Sequence, residues 1–236
     1  MLLYTMNYAG GTKEFFTPLE KELSEHIILH KIEYAGHGER KKEKFYSSFA
    51  ELAEDMYIQI RKDCAKGVAY ALFGYSMGSI SVIETLKLII ERDEIQRPQH
   101  IFLAAHEPCT RKELLGFSEN ELDEWIKERT ISFEGIPTKL INNKTFWRVY
   151  LPVYKADYSL ISSYCFEKLD LCTSIPLTVF YSETDTPLEK MKLWNYYFKG
   201  DTEYLEYKGT HFFLKQFYTE IADIINDRIG DYNYDV

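Results

Sequence analysis

With 45% hydrophobic and 16% aromatic residues, a chain of 236 residues can bury the core of one large α/β domain without disulfides, which excludes a disordered or fibrous protein. The formal net charge of -9 disfavours nonspecific binding to nucleic acid or to an anionic membrane, because their phosphates repel an acidic protein on average. Cys64, Cys109, Cys165 and Cys172 show neither C-x-x-C spacing nor a histidine at metal-ligand distance along the chain, and they read as reduced thiols of a cytoplasmic protein.

Met1-Leu2-Leu3-Tyr4-Thr5 lacks the basic start and long apolar stretch of a signal peptide, and no later apolar run is long enough to span a bilayer. Short apolar segments then alternate with amphipathic ones, the pattern of a mostly parallel sheet flanked by helices. Strands are predicted at residues 2–6, 27–33, 68–73, 101–105, 177–181 and 203–207. After the first comes Asn7-Tyr8-Ala9-Gly10-Gly11, whose paired glycines let backbone approach a ligand closely or serve only as a flexible turn. Phe49, Leu52, Ala53, Met56 and Ile60 line one face of a helix.

The third strand runs into Gly74-Tyr75-Ser76-Met77-Gly78, after which Ile80, Ile83, Leu86, Leu88 and Ile89 recur at helical spacing. A bare G-x-S-x-G arises by chance about once in a dozen chains of this size. The context is what makes it specific: strand, tight turn and helix form a nucleophile elbow, where flanking glycines let the backbone fold sharply and lift the serine hydroxyl clear of the sheet.

From residue 109 to 171 the alternation stops, and the segment reads as helices only. Ser118-Glu119-Asn120-Glu121 has the form of a capping box, and residues 142–166 supply two further helices rich in aromatics. This predicts a single domain over 1–236 with a helical insertion at 109–171, of the kind that forms a lid over the carboxyl edge of the sheet. Lys155-Ala156-Asp157 within it reads as a helix-surface ion pair. Beyond the fifth strand, Thr186-Pro187-Leu188-Glu189 predicts a helix right after Asp185, with Thr186 as N-cap and Pro187 in the first turn. A last helix, residues 214–229, ends at Gly230, and residues 231–236 read as disordered.

Serine is a poor nucleophile until a base accepts its proton and a carboxylate orients that base. On an α/β-hydrolase sheet the partners follow the serine, acid before histidine, in loops after later strands. Asp185 and His211 occupy such positions, and they make Ser76, His211 and Asp185 the candidate triad. Glu183 is the rival acid, two residues away. Of the other histidines, His26 and His30 flank a surface strand, His37 lies in an early loop, and His100 and His106 bracket a strand. An oxyanion needs two backbone N–H groups. Met77 offers one at a helix N-terminus, and the loop after the first strand offers the other at Ala9.

Together these pieces resemble the type II thioesterases, the free-standing editing hydrolases of nonribosomal peptide and polyketide assembly lines. Asn7-Tyr8-Ala9-Gly10-Gly11 with Phe15-Phe16 is similar to the family's Pro-Tyr-Ala-Gly-Gly start, and Tyr34-Ala35-Gly36-His37-Gly38-Glu39-Arg40 to its Pro-Gly-Arg-Gly-x-Arg loop. The elbow resembles Gly-His-Ser-Met-Gly. Gly135-Ile136-Pro137 and Leu151-Pro152-Val153-Tyr154-Lys155-Ala156-Asp157 resemble the lid motifs, and Gly209-Thr210-His211-Phe212-Phe213 the histidine motif. Departures are Tyr75 for the usual histidine, His37 for the usual arginine, and Ala104-Ala105-His106-Glu107-Pro108 for a serine-glycine-rich turn.

The resemblance implies a cytoplasmic monomer that needs no cofactor and hydrolyses acyl thioesters carried on the phosphopantetheine of acyl or peptidyl carrier domains. Those partners are usually acidic, so docking calls for a local basic patch; Arg40-Lys41-Lys42-Glu43-Lys44 and Arg111-Lys112 are candidates, or are solvated loops. Two other readings fit the same residues: a general carboxylesterase using the same triad, and a catalytically idle hydrolase fold serving as a binding scaffold.

Overall fold

Runs of mostly apolar residues that do not alternate with polar ones are the mark of strands buried on both faces, and four such strands form the centre of a six-stranded sheet. The computed structural model describes residues 1–64, 67–110 and 117–230. The strands are β1 (Leu2–Met6), β2 (Ile28–Lys31), β3 (Tyr70–Tyr75), β4 (Ile101–Ala104), β5 (Leu177–Tyr181) and β6 (Thr202–Glu206). All pair in parallel, in the order β2-β1-β3-β4-β5-β6. The edges are the polar strands: β2 carries exposed Ile28 and half-buried His30 and Lys31, and β6 is half-buried or exposed throughout, which suits strands with one unpaired side.

The helices are α1 (Thr17–Glu20), α2 (Phe49–Cys64), α3 (Met77–Arg92), α4 (Glu119–Ser132), α5 (Thr138–Ile141), α6 (Lys144–Ser163), α7 (Leu188–Met191) and α8 (Tyr218–Ile229). Successive β3 side chains point to opposite layers. Tyr70 and Leu72 pack in the layer that holds the apolar faces of α2 and α3, while Ala71, Phe73 and Tyr75 pack in the layer that holds Leu19 of α1 and Ile221, Ala222 and Ile225 of α8. A third, separate cluster, built on Ile126, Ile136, Trp147 and Tyr154, holds α4 and α6 together.

The strand order reverses beside β1: the chain leaves β1 outward for β2 and returns on the other side as β3. Ligands of open parallel sheets bind at the carboxyl ends of strands flanking such a reversal. Register Met6↔Gly74 brings the loop after β1 level with the end of β3, and Tyr75↔Ala104 does the same for β4.

Several boundaries differ from the sequence expectation. β3 continues through Gly74 and Tyr75, because Gly74 is a close approach and not a break: a Cβ there would lie 2.3 Å from the Gly78 carbonyl oxygen. Within residues 142–166 there is one long helix, α6, in place of two, capped by Asn143 on the Phe146 N–H. Pro152 is tolerated inside it because it sits on the exposed side, where water can take the carbonyl its ring leaves without a donor. The Ser118 capping box forms as expected. Thr186 does not cap a helix; α7 begins at Leu188, and Thr186 Oγ1 turns inward toward Glu107 Oε2 at 3.4 Å. Residues 213–216 are a 3-10 turn, so α8 starts at Tyr218, and Gly230 closes it with right-handed φ of -75°, not the left-handed cap. Arg111, Lys112 and residues 231–236 lie outside the described residues.

Gly78 is where α3 meets the end of β1 backbone to backbone, since its missing side chain admits the Met6 carbonyl oxygen, 2.1 Å from where a Cβ would stand. Gly78→Ala is expected to lose about 1–3 kcal/mol of stability through overpacking, read as a lower urea midpoint with the denaturant slope unchanged.

Candidate active site

A serine placed between a strand and a helix must turn the chain through a conformation that L residues avoid. Ser76 does so with φ 55° and ψ -117°, directly before α3, a backbone state that costs of order 1–3 kcal/mol. It is held from both sides. The Ser76 N–H donates to the Ala104 carbonyl of β4 at 2.8 Å, and the buried Ser79 hydroxyl donates to the carbonyls of Gly74 and Ala104 at 3.1 and 3.2 Å.

The loop after β5 carries Asp185, fixed by Asp185 N–H to Ser182 carbonyl at 3.0 Å. The loop after β6 carries His211, and the hydroxyls of Ser182 and Thr184 both donate to the Gly209 carbonyl, which ties the two loops together. His211 Nδ1 lies 3.0 and 2.9 Å from the two Asp185 carboxylate oxygens, and its Nε2 lies 2.9 Å from Ser76 Oγ. A carboxylate only accepts, so Nδ1 bears the proton, and Nε2 is left to accept from the serine hydroxyl. The imidazole is 8% exposed and the carboxylate 10%. Glu183, the rival acid, is exposed and turns away, accepting the Leu188 N–H at 3.0 Å at the start of α7.

Two residues to which the sequence assigns no role hold this histidine. Phe133, at the end of α4, stacks on the His211 ring with centroids 4.1 Å apart and 16° between planes. Tyr75, fully buried, donates its hydroxyl to the His211 carbonyl at 2.6 Å and takes a backbone hydrogen bond from Leu214. Burial holds the Tyr75 phenol well above its usual range, so it acts as a neutral donor. A tyrosine inside an apolar strand carries no sequence mark of such a role.

Ala9 stands in a β-turn closed by Gly11 N–H to Tyr8 carbonyl at 3.0 Å, with Gly10 at φ 76°, the left-handed third position that a type II turn requires. Because the Tyr8 carbonyl points into the turn, the N–H across the same trans peptide, that of Ala9, points out of it. Ala9, Ser76 and His211 line two adjoining cavities of about 140 and 20 Å³. The larger opens past Trp125, Arg129 and Lys190, and the smaller is walled by Tyr8, Tyr154, Tyr158 and Phe212. Burial lifts the Tyr8 phenol to about 12, so this wall is uncharged near neutral pH.

Lys155 and Asp157 do not form the shared surface ion pair that their spacing suggests. Lys155 does pair on the surface, with Glu119 at 3.3 Å and Asp123 at 2.5 Å on α4. Asp157 is buried at 3% exposure and faces inward, toward Gly10 and His37. In the basic run, Arg40 is engaged by Glu43 and Asp55, leaving Lys41, Lys42 and Lys44 exposed. Among the described residues, no group of three or more His, Cys, Asp or Glu side chains is disposed to hold a metal ion, and no helix is long and apolar enough to cross a membrane.

A parallel sheet with a serine elbow at its reversal, a histidine and an acid on successive later loops, and helices inserted before the acid define the α/β-hydrolase fold. The ClbQ structure from the colibactin NRPS/PKS pathway superposes with a TM-score of 0.84 at 24% identity, over 97% of this chain and 96% of that one. In sequence, the medium-chain S-acyl fatty acid synthase thioesterase of Rattus norvegicus is 26% identical over 88% of this chain and 79% of its own length. Thioesterase TesA of Mycobacterium marinum is 27% identical over 95% of this chain and 88% of its own. The family model described as thioesterase domain matches residues 2–229. The chain belongs to the thioesterase family, hydrolases that act on thioester bonds.

Tyr75→Phe leaves the buried His211 carbonyl without its donor. Thermal unfolding of that variant is expected to show a loss of about 1–3 kcal/mol, the usual consequence of stranding one buried partner.

Proposed function

We propose that the chain is a serine thioesterase that releases misprimed acyl groups from the phosphopantetheine arm of an acyl or peptidyl carrier domain in a nonribosomal peptide or polyketide synthase. The observation that carries the proposal is the continuous hydrogen-bonded line from Ser76 Oγ through His211 to Asp185. In the proposed reaction, Ser76 Oγ attacks the thioester carbonyl carbon while His211 Nε2 takes the hydroxyl proton and Asp185 stabilises the resulting imidazolium. The backbone N–H groups of Met77 and Ala9 receive the oxyanion, the first aided by the N-terminus of α3. Collapse breaks the carbon–sulfur bond, and the pantetheine thiolate leaves with the proton from His211. Water then gives its proton to His211 and attacks the acyl-serine; the acid departs as Ser76 Oγ regains its hydrogen. A thiolate is a good leaving group, so this site needs less acid assistance than an amidase. No metal or redox cofactor enters these steps.

The helical segment 109–171 serves as a lid within a single domain spanning 1–236. Its separate apolar cluster and the Phe133 ring over His211 support that role. The small cavity of aromatic walls would receive the acyl group, and the larger one the pantetheine arm. Exposed Lys41, Lys42 and Lys44 supply a local basic surface for an acidic carrier on a chain whose net charge is -9. The protein acts in the cytoplasm as a monomer. The medium-chain fatty acid synthase thioesterase and the ClbQ protein of an NRPS/PKS pathway support carrier-bound thioesters as substrates.

Ser76→Ala is expected to reduce acyl-pantetheine hydrolysis by at least about 10³-fold and to abolish labelling by a fluorophosphonate. Retained activity overturns the triad, and a parent protein that neither hydrolyses nor labels is an idle scaffold. Rapid p-nitrophenyl ester turnover with negligible thioester cleavage identifies a carboxylesterase instead. Asp185→Asn is expected to lower kcat by about 10⁴-fold through loss of the histidine tautomer. Glu183→Ala keeps kcat near the parent's while costing about 1 kcal/mol of stability through the lost contact at α7.

A further inference from the structure

The turn that presents the Ala9 amide is gripped by helix α6. The Gly10 N–H donates to Asp157 Oδ2 at 2.6 Å, and the Tyr154 ring, one turn earlier on the same helix, lies against Gly10 so closely that a Cβ there would stand 2.0 Å from it. Asp157 is held from behind. The same Oδ2 lies 2.9 Å from His37 Nε2, and His37 Nδ1 lies 3.1 Å from the Ala35 carbonyl oxygen. Both side chains of this pair are 2–4% exposed. We propose that Asp157, clamped by His37, is a positioning residue that transmits the seating of helix α6 to the oxyanion-binding turn, so that the Ala9 amide is aimed at the reacting carbonyl only while the clamp is closed. This rests on the role assigned above to the Ala9 amide.

The chemistry of the clamp follows from its acceptors. A carbonyl oxygen and a carboxylate oxygen can only accept, so both ring nitrogens of His37 must donate, and that requires the imidazolium. A neutral ring sets a lone pair against either Ala35 O or Asp157 Oδ2 and pushes one of them away. Burial works against the charge on His37; the Asp157 carboxylate and its hydrogen bond, with the Ala35 carbonyl and Glu33, outweigh it and raise the ring above its ordinary value. The other ionisable groups facing the pair are Glu33, raised by burial against the N–H bonds that lower it, and the phenols of Tyr34 and Tyr154, which burial keeps neutral. Lys41 lines the groove outside His37. With a folded value above the unfolded one, the clamp is fully formed below the unfolded pKa near 6.5 and opens as pH rises through the folded value.

The test is steady-state hydrolysis of an acetyl-pantetheine thioester across pH by the full chain, with Ser76→Ala alongside. Asp157→Ala is expected to lose about 10–100-fold in kcat with KM changed little, a fraction of what deleting an oxyanion donor outright removes. Asp157→Asn, which still accepts the Gly10 N–H, recovers part of that loss. The parent's kcat declines on the alkaline side, and His37→Arg, whose guanidinium keeps its proton, lacks that decline while keeping the acid limb. A folded Asp157→Ala enzyme with the parent's kcat, a loss confined to KM, or an alkaline decline that persists in His37→Arg overturns the proposal. Should Asp157→Ala not fold, the His37→Arg profile decides it alone. An active Ser76→Ala would instead overturn the triad on which the proposal rests.

Discussion

The site depends on one backbone conformation, the positive φ of Ser76 between β3 and α3. A serine there is strained by itself. It persists because Gly74 and Gly78 let helix, strand and the end of β1 approach to distances at which any side chain would collide, and because Ala104 and Ser79 hold the turn with hydrogen bonds. The buried β3 strand and the apolar face of α3 on either side supply the stabilisation that offsets the strain. Everything else in the site is measured from the place where this turn puts Oγ.

Around that point, each loop contributes one group and is braced by another. The loop after β6 brings His211, whose backbone is held by Tyr75 from the strand that ends at the serine. The loop after β5 brings Asp185, tied to the histidine loop through Ser182 and Thr184. The turn after β1 brings Ala9, tied to α6 through Gly10. The helical segment also braces these loops. It meets the loops at the carboxyl edge of the sheet through Phe133 on His211 and through Tyr154 and Asp157 on Gly10. The smaller cavity lies between the same contacts, walled largely by the aromatic rings of Tyr8, Phe133, Tyr154, Tyr158 and Phe212.

Residue pattern alone was enough for the layered sheet, the elbow and the order of its partners. Strand runs such as Leu2–Met6 and Leu177–Tyr181 coincide with the structure because a strand buried on both faces is mostly apolar, with only Thr5 and Thr178 as polar members of these two. Ser76, Asp185 and His211 were legible because chain order and loop context restrict which acid and which histidine can reach a serine at that edge. Glu183 and Asp185 are chemically alike and two residues apart, and a sequence has no term that says which side chain points inward; the fold separates them by turning Glu183 to the N–H of Leu188.

What only the tertiary structure decided lies in contacts between segments distant in the chain. The hydroxyl of Tyr75 meets the backbone of His211 across 136 positions, and Asp157 meets Gly10 and His37 across 147 and 120. Lys155-Ala156-Asp157 reads as one ion-paired surface because adjacent residues look alike in local pattern, yet the helix turns Lys155 to α4 and Asp157 to the interior. Local spacing determines which elements form and which face of each is apolar, because those are interactions among near neighbours. The partner of a buried polar group is set by where those elements pack, which is why the sequence picked out the serine, histidine and acid that the fold brings together, and the fold alone revealed what holds them.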